Sequence, residues 1–157
     1  MLTSPALRSA AMTRSLHDDV AGRLEAAGQR YTSSRRQLVA QLGDLERPHA
    51  IAELLELDGS QPQSSLYRNM AVLEEVGVVR RLQGADDVAR FELAEDITGH
   101  HHHHLVCTSC GTIDDVEVSP AVEDALHEAV SSARRERGFR TDVHRMELLG
   151  TCARCHD

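Results

Sequence analysis

Four cysteines in two Cys-x-x-Cys pairs, Cys107/Cys110 and Cys152/Cys155, constrain this chain most, because it has no other cysteine. Two such pairs match a four-thiolate tetrahedral zinc site that ties two distant segments together. The 41 residues between the pairs exceed what a compact zinc ribbon needs, so a substantial element must fold between them. Two disulfides could use the same thiols, but the N-terminus resembles no secretion signal, and cytosolic thiols stay reduced. A thioredoxin-like redox pair would call for one Cys-x-x-Cys after a strand, not two. The expectation is a structural zinc in a cytoplasmic protein.

Directly before Cys107 run five histidines, His100 to His104, followed by Leu105 and Val106. A purification tag would sit at a terminus, whereas this run is internal. Leu-Val ahead of the cysteine predicts a short strand from His102 to Cys107, and strand side chains alternate between faces. His102 and His104 then project to one side, His101 and His103 to the other. One strand can thus serve two metal sites with two imidazoles each. A structural zinc plus imidazole-rich sites is the equipment of a metal sensor or of a metalloenzyme.

The net charge of −8 argues on its face against nucleic acid, yet the charges are unevenly placed. Between Glu25 and Asp44 there is no acid, while Arg30, Arg35 and Arg36 fall inside that window. Between Asp58 and Glu74 the only charge is Arg68, and Arg80 and Arg81 follow. Phosphate binding needs a local basic face, not a basic total. No apolar run approaches the roughly 20 residues that span a bilayer.

Hydrophobic periodicity divides the chain in two. Residues 1–13 lack periodicity and read as a flexible tail. Val20, Leu24 and Ala27 recur at helical spacing up to Gly28, and Thr32 caps a second helix bearing Leu38, Val39 and Leu42. Pro48 opens a third with Ile51, Leu54 and Leu55. A fourth follows Gln61-Pro62, with Leu66, Met70 and Leu73 inward and Gly77 as stop. Val78 to Leu82 and Val88 to Leu93 then read as a β-hairpin, which makes residues 14–95 a winged helix. In residues 96–157, strands at His102 to Cys107 and Thr112 to Val116 precede a helix opened by Ser119-Pro120, with Val122, Leu126, Ala129, Val130 and Ala133 on one face. Phe139 to Leu149 reads as a last strand in which His144, Met146 and Leu148 share a face. The fold class is α+β: an N-terminal winged-helix DNA-binding domain, then a small α/β dimerisation domain with a four-cysteine zinc site. A chain of 157 residues that splits this way buries little apolar surface per half, so a zinc staple or a partner chain would help.

A winged helix followed by the His/Cys block and a terminal Cys-x-x-Cys resembles the ferric uptake regulator family from about Leu16 onward. The specific pieces are Tyr31-Thr-x-x-Arg35, Ser65-Leu-Tyr67-Arg68, Gly77-Val-Val, Arg90-Phe-Glu92-Leu, the His/Cys block, Arg140 to His144 and Gly150-x-Cys152. Leu66 stands where valine is more usual. The resemblance implies a homodimeric, metal-dependent repressor that binds double-stranded DNA at a palindromic operator, with no membrane partner and no small-molecule substrate. It implies a regulatory site of His49, Glu92, His102 and His104, with Asp115 as a further ligand, joining the two halves. It implies a second site of His101, His103, Glu123 and His144. It places Ser64, Ser65, Tyr67 and Arg68 on the recognition helix and Tyr31 and Arg35 against the DNA backbone. Taken alone, each of these residues has a plainer reading: a surface histidine, a solvated carboxylate, a tyrosine packed between helices.

The sensed metal is less determined, because imidazole and carboxylate suit Fe(II), Mn(II), Zn(II) and Ni(II) alike. Zinc-sensing relatives tend to carry a cysteine where Glu92 stands, which ranks Fe2+ first. His103 fills a position that is often histidine in zinc regulators, and Asp115 is shared with peroxide-sensing ones, so zinc and peroxide sensing rank next; Mn2+ is also compatible. From another class, a zinc-dependent hydrolase or deaminase would need motifs such as His-Glu-x-x-His, which do not occur. A purely structural zinc module would leave histidines on both strand faces without a purpose.

Overall fold

The computed structural model describes residues 5–141 and 143–156, with side chains from Ser15 onward. Its first helix, α1 (Pro5–Ala26), takes in the last nine residues of the expected tail. Pro5 suits a first helical position, and Ala6, Leu7, Ala10, Ala11 and Met12 are strong helix formers, so residues 5–13 are helical where a flexible tail was expected. Residues 1–4 of that tail lie outside the described residues. Val20 and Leu24 are fully buried, and Gly28, at φ +67°, turns the chain out of the helix.

α2 (Ser33–Gly43) begins as expected at Thr32, whose side chain accepts the Arg35 N–H. α3 (Ile51–Leu57) starts later than Pro48, because His49–Ala50 forms a two-residue strand, β1, instead. α4 (Gln63–Glu75) turns Leu66, Met70 and Leu73 inward. The wing is an antiparallel pair, β2 (Val79–Gln83) and β3 (Ala89–Leu93), and β1 adds to its far side to give the order β1-β3-β2. Sixteen buried residues from the four helices, the wing strands and their flanks form one core around Leu24, Leu38, Leu54 and Leu73.

After a short helix, α5 (Glu95–Thr98), the second sheet has the order β5-β4-β6. β4 (His103–Cys107) lies in the centre, antiparallel to β5 (Ile113–Val116) and parallel to β6 (Glu147–Gly150). α6 (Pro120–Arg137) makes the return crossover and ends at Gly138, φ +64°. The expected strand from Phe139 to Leu149 is realised only at its end. Residues such as Phe139 and Val143 are 63% and 73% exposed, and alternation without a partner edge does not make a strand.

The two halves are unequally supported. Beyond the main core, among the described residues only Leu82, Val106 and Ile113 form a buried cluster, and Leu82 belongs to the wing. Three such side chains contribute about 2 kcal/mol each, against roughly 1 kcal/mol or more to order each residue of the half. None of the residues of α6 is buried, including its apolar face of Val122, Leu126 and Val130. The second sheet therefore has few apolar side chains to hold it, and its cysteines and histidines gather into clusters of metal-ligand type.

Candidate metal centres and DNA-reading surface

The β4–β5 turn and the segment after β6 converge to bring Cys107, Cys110, Cys152 and Cys155 into one cluster. Cys110 Sγ and Cys152 Sγ stand 3.8 Å apart, the spacing of two sulfurs each about 2.3 Å from a tetrahedral zinc. Cys107 Sγ accepts the N–H groups of Cys152 (3.4 Å) and Cys110 (3.5 Å), which draw its thiol down to about 6. Cys110 is lowered by Thr112. Cys155, facing the sulfurs of Cys110 and Cys152, is pushed up to about 12. Thiolates this close repel, so the last proton leaves only to a cation, which is the chemistry of a metal site.

Along the histidine run the alternation is realised, although the regular strand begins at His103, one residue later than expected. His102 and His104 turn one way, their rings 5.1 Å apart, and meet Glu92 of β3. Glu92 Oε2 is 3.1 Å from His102 Nε2 and 3.3 Å from His104 Nε2. Asp115, opposite His104 in the β4–β5 register, completes the group, its oxygens 3.7 Å and 3.9 Å from the same two nitrogens. Burial alone would raise Glu92, but hydrogen bonds and charge from His104 and His102 together outweigh it and hold the carboxyl low. Asp115 goes the other way: burial raises it, only partly opposed by His102.

His49 is not brought into this group. It is buried in β1, with Nδ1 2.7 Å from the Arg47 carbonyl, and it lines a cleft of about 460 Å³ whose far wall is Asp114 and Asp115. The register of β1 against β3 pairs His49 with Phe91, one residue short of Glu92.

His101 and His103 turn the other way, toward Glu123 in the first turn of α6 and His144. His103 Nε2 is 2.9 Å from Glu123 Oε1, and His101 Nε2 is 3.0 Å from His144 Nε2. Glu123 is held low, burial being outweighed by the imidazoles of His103, His101 and His144. Glu123 Oε2 is a buried acceptor with no hydrogen-bond partner, 3.7 Å from His101 Nε2 and 3.6 Å from His144 Nε2. Glu92 Oε1 is also a buried acceptor without a hydrogen-bond partner, but it faces Arg80 Nε at 3.9 Å. The unpaired Glu123 oxygen ringed by imidazoles, and the Glu92, His102, His104 and Asp115 donor atoms lying within 4.8 Å of one another, each suit a divalent cation, so both donor sets fit a metal.

Two residues near this second group were missed. His127, one helical turn beyond Glu123 on α6, sets its ring 5.6 Å from that of His144; the i, i+4 spacing is its only sequence signal. Glu95, in α5, puts Oε2 2.7 Å from His101 Nδ1. Nothing in its spacing announces it.

On α4, Tyr67 is 52% exposed, and Ser64 and Arg68 are exposed beside it, while Ser65 is half-buried. Tyr67 is therefore not the packed interface tyrosine of the plainer reading. Tyr31 is half-buried, its hydroxyl 2.6 Å from His17 Nδ1, and burial pushes the phenol up to about 12 against the nearby Arg36. Arg35 is spent internally: it is buried and donates to the Arg30 carbonyl at 2.6 Å, closing the α1–α2 turn. The exposed cation there is Arg36, 4.4 Å over the Tyr31 ring.

Residues 26–149 match the ferric uptake regulator family. The ferric uptake regulation protein of Bacillus subtilis (strain 168) is 31% identical over 144 residues, covering 88% of this chain and 93% of that protein. The peroxide-responsive repressor PerR of Staphylococcus aureus (strain USA300) is 30% identical over 138 residues, covering 85% and 87%. The Helicobacter pylori ferric uptake regulator has a similar fold, with a TM-score of 0.69 at 22% identity over 91% of this chain and 93% of that one. With the winged helix, the two-faced histidine strand and the cysteine cluster agreeing with these matches, the chain belongs to the ferric uptake regulator family of metal-responsive regulators.

Proposed function

We propose that this protein is a cytoplasmic transcriptional repressor that binds a palindromic operator in double-stranded DNA as a homodimer when its regulatory metal is bound. In this reading residues 14–95 read DNA and residues 96–157 pair the subunits and hold metal. The observation that carries it is the composition of the Glu92/His102/His104/Asp115 group. One ligand comes from the wing strand β3 and the others from the second sheet. A cation there supplies the charge that draws these donors together and so favours one placement of the wing relative to that sheet. Exposed Tyr67, Arg68 and Ser64 on α4 present the side chains that would meet the major groove, with Ser65 at their edge and Tyr31 and Arg36 flanking them. The cysteine cluster holds zinc in this reading. The regulatory group takes Fe(II) first, with Zn(II) and Mn(II) as the alternatives, and His101, His103, Glu123 and His144 hold a second ion.

The test is a gel-shift titration of an operator with Fe(II), Mn(II), Zn(II) and Ni(II), for the wild type, His102→Ala and His101→Ala. DNA binding should require added metal in the wild type. His102→Ala should raise that requirement at least tenfold, and His101→Ala should raise it less. Affinity independent of metal would end the sensing role. Asp115 and the likeness to a peroxide-responsive repressor favour a second reading, in which Fe(II) and peroxide oxidise a ligand histidine. Peptide mapping after peroxide treatment would then find one added oxygen on His102 or His104, with loss of DNA binding.

A further inference from the structure

The two histidine clusters are joined by a pair of residues that belongs to neither. Arg80, on β2, stands opposite Glu92 of β3 in the strand register. Its Nε lies 3.9 Å from Glu92 Oε1, and both atoms are buried without a hydrogen-bond partner. Its Nη1 donates to Glu95 Oε1 at 2.6 Å, and the other oxygen of that carboxylate is 2.7 Å from His101 Nδ1. The first cluster is therefore linked to the second through Glu92, Arg80, Glu95 and His101 in turn.

The geometry at His101 gives this link a role. His101 Nε2 faces the second cluster, 3.0 Å from His144 Nε2 and 3.7 Å from Glu123 Oε2. An imidazole ligates through an unprotonated nitrogen, and which nitrogen keeps its proton is set by the partner of the other. With Nδ1–H assigned as donor to the Glu95 carboxylate, the lone pair of Nε2 is left pointing into the cluster. Glu95 can hold this position because Arg80 anchors its second oxygen, a short charge-assisted contact on a side chain only 24% exposed.

We propose that Glu95, braced by Arg80, is a positioning residue for the second centre: it fixes the tautomer and ring orientation of His101. It thereby makes that centre depend on β2 and α5 of the DNA-reading half, although its four ligands all come from residues beyond 96. This rests on reading His101, His103, Glu123 and His144 as a divalent-cation site.

The test uses the full chain with zinc at its cysteines. Co(II) is titrated against a competing chelator, and long-range heteronuclear NMR of the imidazoles reports the tautomer of His101. Glu95→Ala should weaken Co(II) at the second centre by about 10- to 100-fold. It should move the His101 proton to Nε2 and leave the cysteine-held zinc unchanged. Glu95→Gln, which keeps an acceptor oxygen in place, should restore part of the affinity and covers the case in which the alanine variant folds poorly. In a His101→Ala background, Glu95→Ala should have no further effect. Unchanged Co(II) affinity, an Nδ1–H tautomer retained without Glu95, or an equal loss in the His101→Ala background would overturn the proposal while leaving the metal site standing. A wild type that takes up no Co(II) at these four residues would overturn that site and the proposal together.

Discussion

A methyl group added to Gly111 would run into the Asp86 carboxylate, and the backbone there has φ +72°, a region that side chains avoid. This is where the wing turn seats on the cysteine knuckle. Gly111→Ala is expected to lose about 1–3 kcal/mol in urea denaturation, whereas Gly150→Ala, whose added carbon meets nothing within 4 Å, should stay within about 0.5 kcal/mol. Asp86 also pairs with both Arg90 nitrogens at 2.8 Å, a contact that holds its carboxyl at about 2. Its folded value lies below the unfolded value of about 4. The pair therefore stabilises fully at neutral pH, and the contribution fades as pH falls from about 4 to about 2. Solvent screens the Asp86 side, so Asp86→Asn should cost under about 1 kcal/mol at pH 7 and nothing near pH 2, read from denaturation midpoints at both. At this scale the sequence displayed which residues can ligate or ionise, and hid what each one spends its valences on. Arg35 looks like a phosphate contact until its guanidinium is seen closing a turn, and Glu95 looks like one more surface acid until Arg80 and His101 are seen on either side of it.

β4 is the element whose sidedness was most legible, because a period of two needs no tertiary information to send neighbouring imidazoles apart. The helices of the first half were legible for the same reason: caps such as Thr32 and stops such as Gly28 and Gly77 act locally. β1 was not, since two residues have no periodicity, and only the edge of β3 makes His49 and Ala50 a strand. The described residues between Phe139 and Arg145 failed in the opposite sense, having an alternating pattern and forming no strand; pairing with β4 begins only at Met146, whose carbonyl accepts the His104 N–H. α6 lies between these cases. Its apolar stripe was read correctly, yet among the described residues nothing buries it, which is the expectation for a subunit interface. Leu126→Asp is therefore expected to shift the protein from dimer to monomer in sedimentation velocity, with the main core of the first half intact.

Taken as a whole, the molecule is held in two different ways. The main core of sixteen buried residues lies in the first half apart from Ile97, and the second half shares a cluster of three besides its cysteines and histidines. Loss of the cysteine-held metal should therefore be a local event. Cys152→Ser is expected to erase hydrogen-exchange protection at Val106 and Leu149 while leaving it at Leu38 and Met70. Uniform loss across both groups would show that the halves melt as one unit. The parallel pairing of β6 with β4 adds a constraint on timing. The strand that flanks the histidines, and the second pair of sulfurs, lie beyond α6 and are translated after the histidine strand they join. A nascent chain can complete its main core on the ribosome, but β4 keeps one edge unpaired and the cysteine cluster stays half-built until residues 147–155 follow.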